Sequence, residues 1–393
     1  MLTRLSQGQL PALPHTQLRG ADGRLLYEHC ITRQGFDGPY TIAYHERRPH
    51  EAQPASDAPV ELLSADRRPE RLLRRHYQCP ASALALEPFP RHRARLLENA
   101  DVAVSLAMPT RSDAAYFANA DGDELYFVHS GAGTLRTLLG DISYRKGDYL
   151  YVPRSLLHRF VLDGASQHFL VLELRGPLAL PASYRNSVGQ LRMDAPYSHR
   201  DFRTPTLAAP HDEGLRDLWL KASGTLQKYS LRSSPLDVVG WDGSLYPFAF
   251  SIDAFKPKVG RIHLPPPAHA TFEAPGVLIC SFVPRPLDFD EQAVPCPYPH
   301  SSVDIDEVLF YSRGNFSSRR GVSPGSISHH PRGIPHGPHP GAYEASIGAK
   351  RTDELAVMLD CSMPLTRSAL AESLEDAAYH GSFVASGESH STG

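Results

Sequence analysis

The residues of this chain best equipped to do chemistry lie between Tyr298 and His339. Tyr298-Pro299-His300 is followed by Asp306-Glu307, which opens an apolar run through Tyr311. After a loop comes His330-Pro331-Arg332-Gly333-Ile334-Pro335-His336-Gly337-Pro338-His339. Two imidazoles and one carboxylate can occupy three corners of a metal and leave the others open, the arrangement of non-heme Fe(II) oxygenases. The backbone pattern is compatible. Residues 308–311 are a β-branched and aromatic run, hence a strand. Ser323-Pro324-Gly325 and Pro331-Arg332-Gly333 are turn chemistry. His300 and Glu307 then flank the start of one strand and His336 arrives on a neighbouring one, which is how a small β-barrel gathers ligands at its mouth. A bland reading stays open beside it. The chain has 20 histidines, so His329, His330, His336 and His339 also fit a polar loop.

The elements that position these residues can be read from composition. With 393 residues the chain can hold two domains of ordinary size. Forty basic and 43 acidic residues give a net charge of -3, which argues against nucleic acid as a partner. Its 35 prolines are well above the average usage of about 5% and are spread among glycines, while helix-length amphipathic patterns are scarce. That punctuation predicts an all-β protein of many short strands with few short helices. The five cysteines (Cys30, Cys79, Cys280, Cys296, Cys361) show no CxxC spacing and read as reduced thiols of a cytoplasmic protein. No apolar signal segment and no membrane span is expected.

Along the chain, residues 113–175 alternate short strands with Gly/Asp turns every eight to twelve residues, the mark of a sandwich or barrel. Asp121, Asp123 and Glu124 stand there with His158, and this first unit (1–205) reads as structural and without a metal. Arg67, Arg68, Arg71, Arg74 and Arg75 lie among Glu61, Asp66 and Glu70, the pattern of a solvated segment. Residues 206–240 read as a connection, with a helix expected over 212–228 on Leu215, Leu218 and Trp219. Residues 241–381 form the second, catalytic unit, in which Ser368 caps a short helix. A Ser/Gly-rich tail, 382–393, is expected to be disordered.

Several landmarks, in one order, resemble the homogentisate 1,2-dioxygenase family of double-cupin Fe(II) enzymes. They are Asp121-Gly122-Asp123, Arg200-Asp201-Phe202, Asp237-Val238-Val239-Gly240-Trp241-Asp242-Gly243 through Tyr246-Pro247, Tyr298-Pro299-His300, Glu307 with Arg313-Gly314, Pro324-Gly325, and Pro335-His336-Gly337-Pro338. The resemblance runs from about residue 20 to 380 and implies a double-cupin fold. It implies His300, Glu307 and His336 as iron ligands, with Asp306 as the rival carboxylate because the family spaces its histidine and carboxylate six apart. Counting back from Arg313-Gly314 selects Glu307. His263 resembles the family's acid/base histidine, and His269 is the alternative. His330 and Tyr298 match substrate-pocket residues, as do the positions of Asn315 and Phe316. Here the family's His-Tyr is replaced by Asn315-Phe316, so the hydroxyl implied to meet the substrate's carboxylate is missing. His339 replaces the Asp after Pro-His-Gly-Pro.

What the resemblance implies is Fe(II)-dependent, extradiol-type ring cleavage of homogentisate or a related hydroquinone, both atoms of O2 entering the product. The partners implied are a small aromatic substrate, O2, and further copies of the chain in a trimer or hexamer. A cupin dioxygenase for a phenol lacking the acetate arm is the alternative, and a non-catalytic bicupin is the third reading.

Overall fold

A computed structural model describes residues 3–12, 18–24, 26–32, 40–47, 53–54, 61–62, 72–84, 93–261, 264, 266–290, 295–296, 304–316, 318–334 and 336–383. His263, Tyr298 and His300 lie outside the described residues.

Strands dominate, as the proline and glycine punctuation predicts. Two eight-stranded sheets form the first half. One centres on Asp123–Ser130, flanked by Asp148–Val152 and His168–Leu174. The other has Gly140–Arg145 at one edge, followed inward by Ala132–Thr137 and His158–Leu162. Gly140–Arg145 shows the reason for the layering: Gly140, Ile142 and Tyr144 turn inward and the residues between them outward. Tyr126 meets Phe160 at 5.0 Å and Tyr144 meets Phe169 at 5.8 Å, edge to face, so aromatic side chains fill the space between the sheets.

The helix expected over 212–228 is instead a hairpin, Asp217–Ala222 paired with Thr225–Ser230. Ser223 and Gly224 both adopt positive φ, 51° and 70°, which a two-residue turn matched to strand twist requires. The apolar spacing at 215, 218 and 219 fits a helix, but the turn and pairing with Tyr116–Asn119 decide the outcome.

A six-stranded antiparallel sheet carries the sequence's chemical residues, in the order Ala270–Ala274, Val277–Phe282, Leu355–Cys361, Asp306–Arg313, Ile327–His330, Arg75–Tyr77. One face packs toward the first half. Phe310 meets Phe127 at 6.0 Å, and the Tyr149 hydroxyl lies 2.9 Å from that of Ser281. The other face lines a cavity. Strands cross the expected unit boundaries in both directions, since Arg75–Tyr77 joins the later sheet while Phe248–Ser251 and Thr366–Arg367 join the earlier one. The arginine run is not all solvated either: Arg75 is buried against Glu375 at 2.7 Å, and Arg74 lies over the Phe383 ring.

Ser368 caps helix Ala369–Leu374, its hydroxyl accepting the Ala371 N–H at 3.1 Å. Of the tail expected over 382–393, Ser382 and Phe383 end a 3-10 turn, where Ser382 bonds His339 and Phe383 packs on its ring, and 384–393 lie outside the described residues. No helix among the described residues is long and apolar enough to cross a membrane.

Candidate metal centre

Strand alternation separates the two rival carboxylates. Glu307 shares the cavity face of its strand with Leu309 and Tyr311, whereas Asp306 points to the opposite face. There Asp306 accepts the backbone N–H of Leu365 at 2.9 Å and of Arg332 at 3.0 Å, with His329 Nε2 3.1 Å away. Burial alone would raise its carboxyl, but His329 and the two backbone donors hold it down at about 2.

Register pairs Glu307 with His330 on the next strand. His330 Nδ1 lies 2.8 Å from Glu307 Oε1, and its Nε2 lies 3.3 Å from the Tyr379 hydroxyl. His336 arrives from the Pro/Gly turn after that strand, with Nε2 3.7 Å from the same carboxylate oxygen. The His330 and His336 rings stack at 4.7 Å. Among the described residues Glu307, His330 and His336 are the one group of three able to hold a metal; their ligand atoms lie within 4.8 Å of one another and all three are buried. The structure therefore gathers Glu307 and His336, and brings His330 closer to the carboxylate than a role in a substrate pocket alone would require.

The donor set fits a divalent transition metal. His336 Nδ1 is 2.9 Å from the Ile334 carbonyl, so a proton there leaves the Nε2 lone pair toward Glu307. Burial lowers His330 to about 3 despite the neighbouring carboxylate, which keeps it neutral at pH 7. Two imidazoles and a carboxylate are ligands that divalent first-row metals take in proteins.

These residues sit beside a cavity of about 640 Å³ lined by Leu264, Phe282, Leu309, Phe316, Met358 and other apolar side chains. Asn315 and Phe316 both line it, as their positions imply. Phe316 is buried against Tyr311, ring centroids 4.8 Å apart. His269 lines the cavity and is buried, so of the two acid/base candidates it is the described one.

The first half has its own buried polar cluster. Glu124 is 2.7 Å from Arg93 and 2.6 Å from the Tyr126 hydroxyl, with His158 at 3.5 Å. A guanidinium is the cation there. Asp237 of the Asp-Val-Val-Gly-Trp landmark bonds His45 at 2.6 Å and the Arg47 N–H, a structural task.

Residues 94–252 match the family described as Homogentisate 1,2-dioxygenase N-terminal. A protein of Saccharolobus solfataricus named "Putative dioxygenase SSO1533" is 34% identical over 378 residues, covering 95% of this chain and 97% of that relative. The chain belongs to the homogentisate 1,2-dioxygenase family. It is a divergent member. The Homogentisate 1,2-dioxygenase of Rhodopseudomonas palustris (strain BisB5) is 29% identical, over 66% of this chain and 61% of that protein. For the protein of that name from Nitrobacter hamburgensis the figures are 28%, 63% and 58%, so the match spans under two thirds of either relative's length. Among solved structures, a Cupin 2 conserved barrel domain protein from Leptotrichia buccalis is 12% identical with a TM-score of 0.29, covering 69% of this chain and 88% of that one. The chain is all-β, with two eight-stranded sheets beside the sheet that bears Glu307. The family match begins at residue 94 and ends at 252, short of the metal centre.

Sequence reasoning did not single out Arg319, whose side chain is only 7% exposed and faces the cavity.

Proposed function

We propose that this family member is an Fe(II)-dependent dioxygenase that opens the ring of homogentisate or a related hydroquinone and incorporates both atoms of O2. The observation that carries the reading is the buried Glu307, His330 and His336 cluster beside a largely apolar cavity. Glu307 and His336 would hold the iron together with His300, and His330 would fix the Glu307 carboxylate through its Nδ1–H.

When bound, Fe(II) supplies adjacent open positions at which a phenol and O2 can meet. The chain's own residues do the rest. The apolar walls, Leu309, Phe316 and Met358 among them, exclude water and hold an aromatic ring near Glu307. A phenol has an intrinsic pKa near 10, so its proton must be taken or shared as the ring binds. A neutral imidazole is suited to that at pH 7, and His269 on the cavity wall or His263 in the preceding segment would take it. Phe316 favours a second reading, a hydroquinone without an acidic arm, because it offers no hydroxyl to a carboxylate.

The test is O2 uptake by iron-loaded protein with a panel of hydroquinones. Uptake by the wild type that vanishes in Glu307→Ala is expected. Uptake that survives in Glu307→Ala would place the chemistry elsewhere.

A further inference from the structure

The loss of the family's tyrosine hydroxyl at Phe316 leaves a question of charge that the cavity itself answers. Arg319 lines the cavity with Glu307, Asn315 and Phe316. Its Nη1 donates to the Gly337 carbonyl at 2.5 Å, and Nη2 lies 4.0 Å from Glu307 Oε1. The Nε–H is buried and has no hydrogen-bond partner among the described residues. A guanidinium carries five N–H donors in a rigid fork matched to carboxylates, and leaving one unmet in a buried site is unfavourable.

Glu307 is the one carboxylate within 4.0 Å of Arg319 among the described residues. Once Glu307 commits its charge to a divalent cation, the buried guanidinium needs another anion. The other arginines near the site are otherwise engaged. Arg285 pairs with Glu354 at 3.3 Å, Arg313 turns outward to Asp253 at 2.7 Å, and Arg351 is exposed. The nearby acids Asp353 and Glu354 are likewise occupied, by the Asn315 N–H and by Arg285.

We propose that Arg319 is the specificity-determining residue of the cavity, anchoring the carboxylate of an anionic hydroquinone through the guanidinium edge that bears the Nε–H. It takes over the work of the missing tyrosine hydroxyl and selects acids over uncharged rings. The inference rests on the reading of this cavity as the substrate site.

The experiment is anaerobic calorimetric binding of two probes, homogentisate and its methyl ester, to iron-loaded wild type, Arg319→Met and Arg319→Lys, with metal content measured on each. The wild type should prefer the acid over the ester. Arg319→Met should weaken acid binding by about ten- to hundredfold while leaving the ester and the metal content unchanged. Arg319→Lys should recover part of the acid preference. Equal binding of acid and ester by the wild type overturns the assignment, and so does an acid preference that persists in Arg319→Met. Loss of metal, or equal weakening of both probes, would make Arg319 a support for Glu307 instead. Should Arg319→Met not fold, Arg319→Gln against Arg319→Lys reads the same charge dependence. If the wild type binds both probes without acid preference, the Arg319 assignment alone falls; if the wild type binds neither probe, the ring-cleavage reading falls with it.

Discussion

Asp306 and Glu307 are neighbours in the chain, yet one holds the fold and the other faces the cavity. Asp306 has backbone donors from Leu365 and Arg332 and the ring of His329 around it. Asp306→Ala removes the acceptor of all three and should destabilise the protein by roughly 3–5 kcal/mol, while metal content stays near that of the wild type. Glu307→Ala should do the opposite, losing the metal with little change in the denaturation midpoint. Metal analysis beside urea denaturation of the two variants decides it, and an empty site in Asp306→Ala would reverse the assignment. His330→Gln is expected to lower metal affinity by about ten- to a hundredfold, the effect of removing a group that orients a ligand. Glu307 was legible in the sequence because Arg313-Gly314 fixes its place by counting back. Arg319 was not, because its burial comes from the Gly337 carbonyl, 18 residues further along, and spacing carries no trace of that contact.

Among the elements, the strands of the first half were legible from turns and alternation, and the hairpin at Ser223-Gly224 was not. Its turn dipeptide lay beneath an apolar spacing that also suits a helix. That hairpin brings Lys221 to Glu173, a buried pair joined by Arg175 at 2.9 Å. Burial pushes the Glu173 carboxyl up, but Lys221, Arg175 and Arg93 outweigh it and bring the pKa from an ordinary 4.5 to about 2. Between those values the unfolded chain binds more protons than the folded one, so stability falls as pH falls. The contribution of Glu173 is complete above about 4.5 and lost on approach to about 2. Urea midpoints at pH 7 and pH 3 should therefore differ less in Glu173→Gln than in the wild type. An unchanged difference would remove Glu173 from the acid response.

At the scale of the whole molecule, one hydrophobic core runs through both halves, with Leu125, Phe127 and Tyr149 in the same cluster as Ile279, Phe310 and Val357. The exchange of Arg75–Tyr77 and Phe248–Ser251 between sheets was not legible in the sequence, because pairing between distant short strands leaves no local pattern. Continuity of the core predicts a single calorimetric transition. Phe310→Ala should lower it as a unit, by roughly 3–5 kcal/mol, whereas two separate transitions would mean that the halves unfold independently. The central claim is that the cluster around Glu307 opens an aromatic ring with O2. Its most direct test is mass spectrometry of the product formed by iron-loaded protein from homogentisate under ¹⁸O2. A ring-opened product carrying two labels in the wild type and no product in Glu307→Ala is predicted; a product with the ring intact, or with no label from O2, would contradict it.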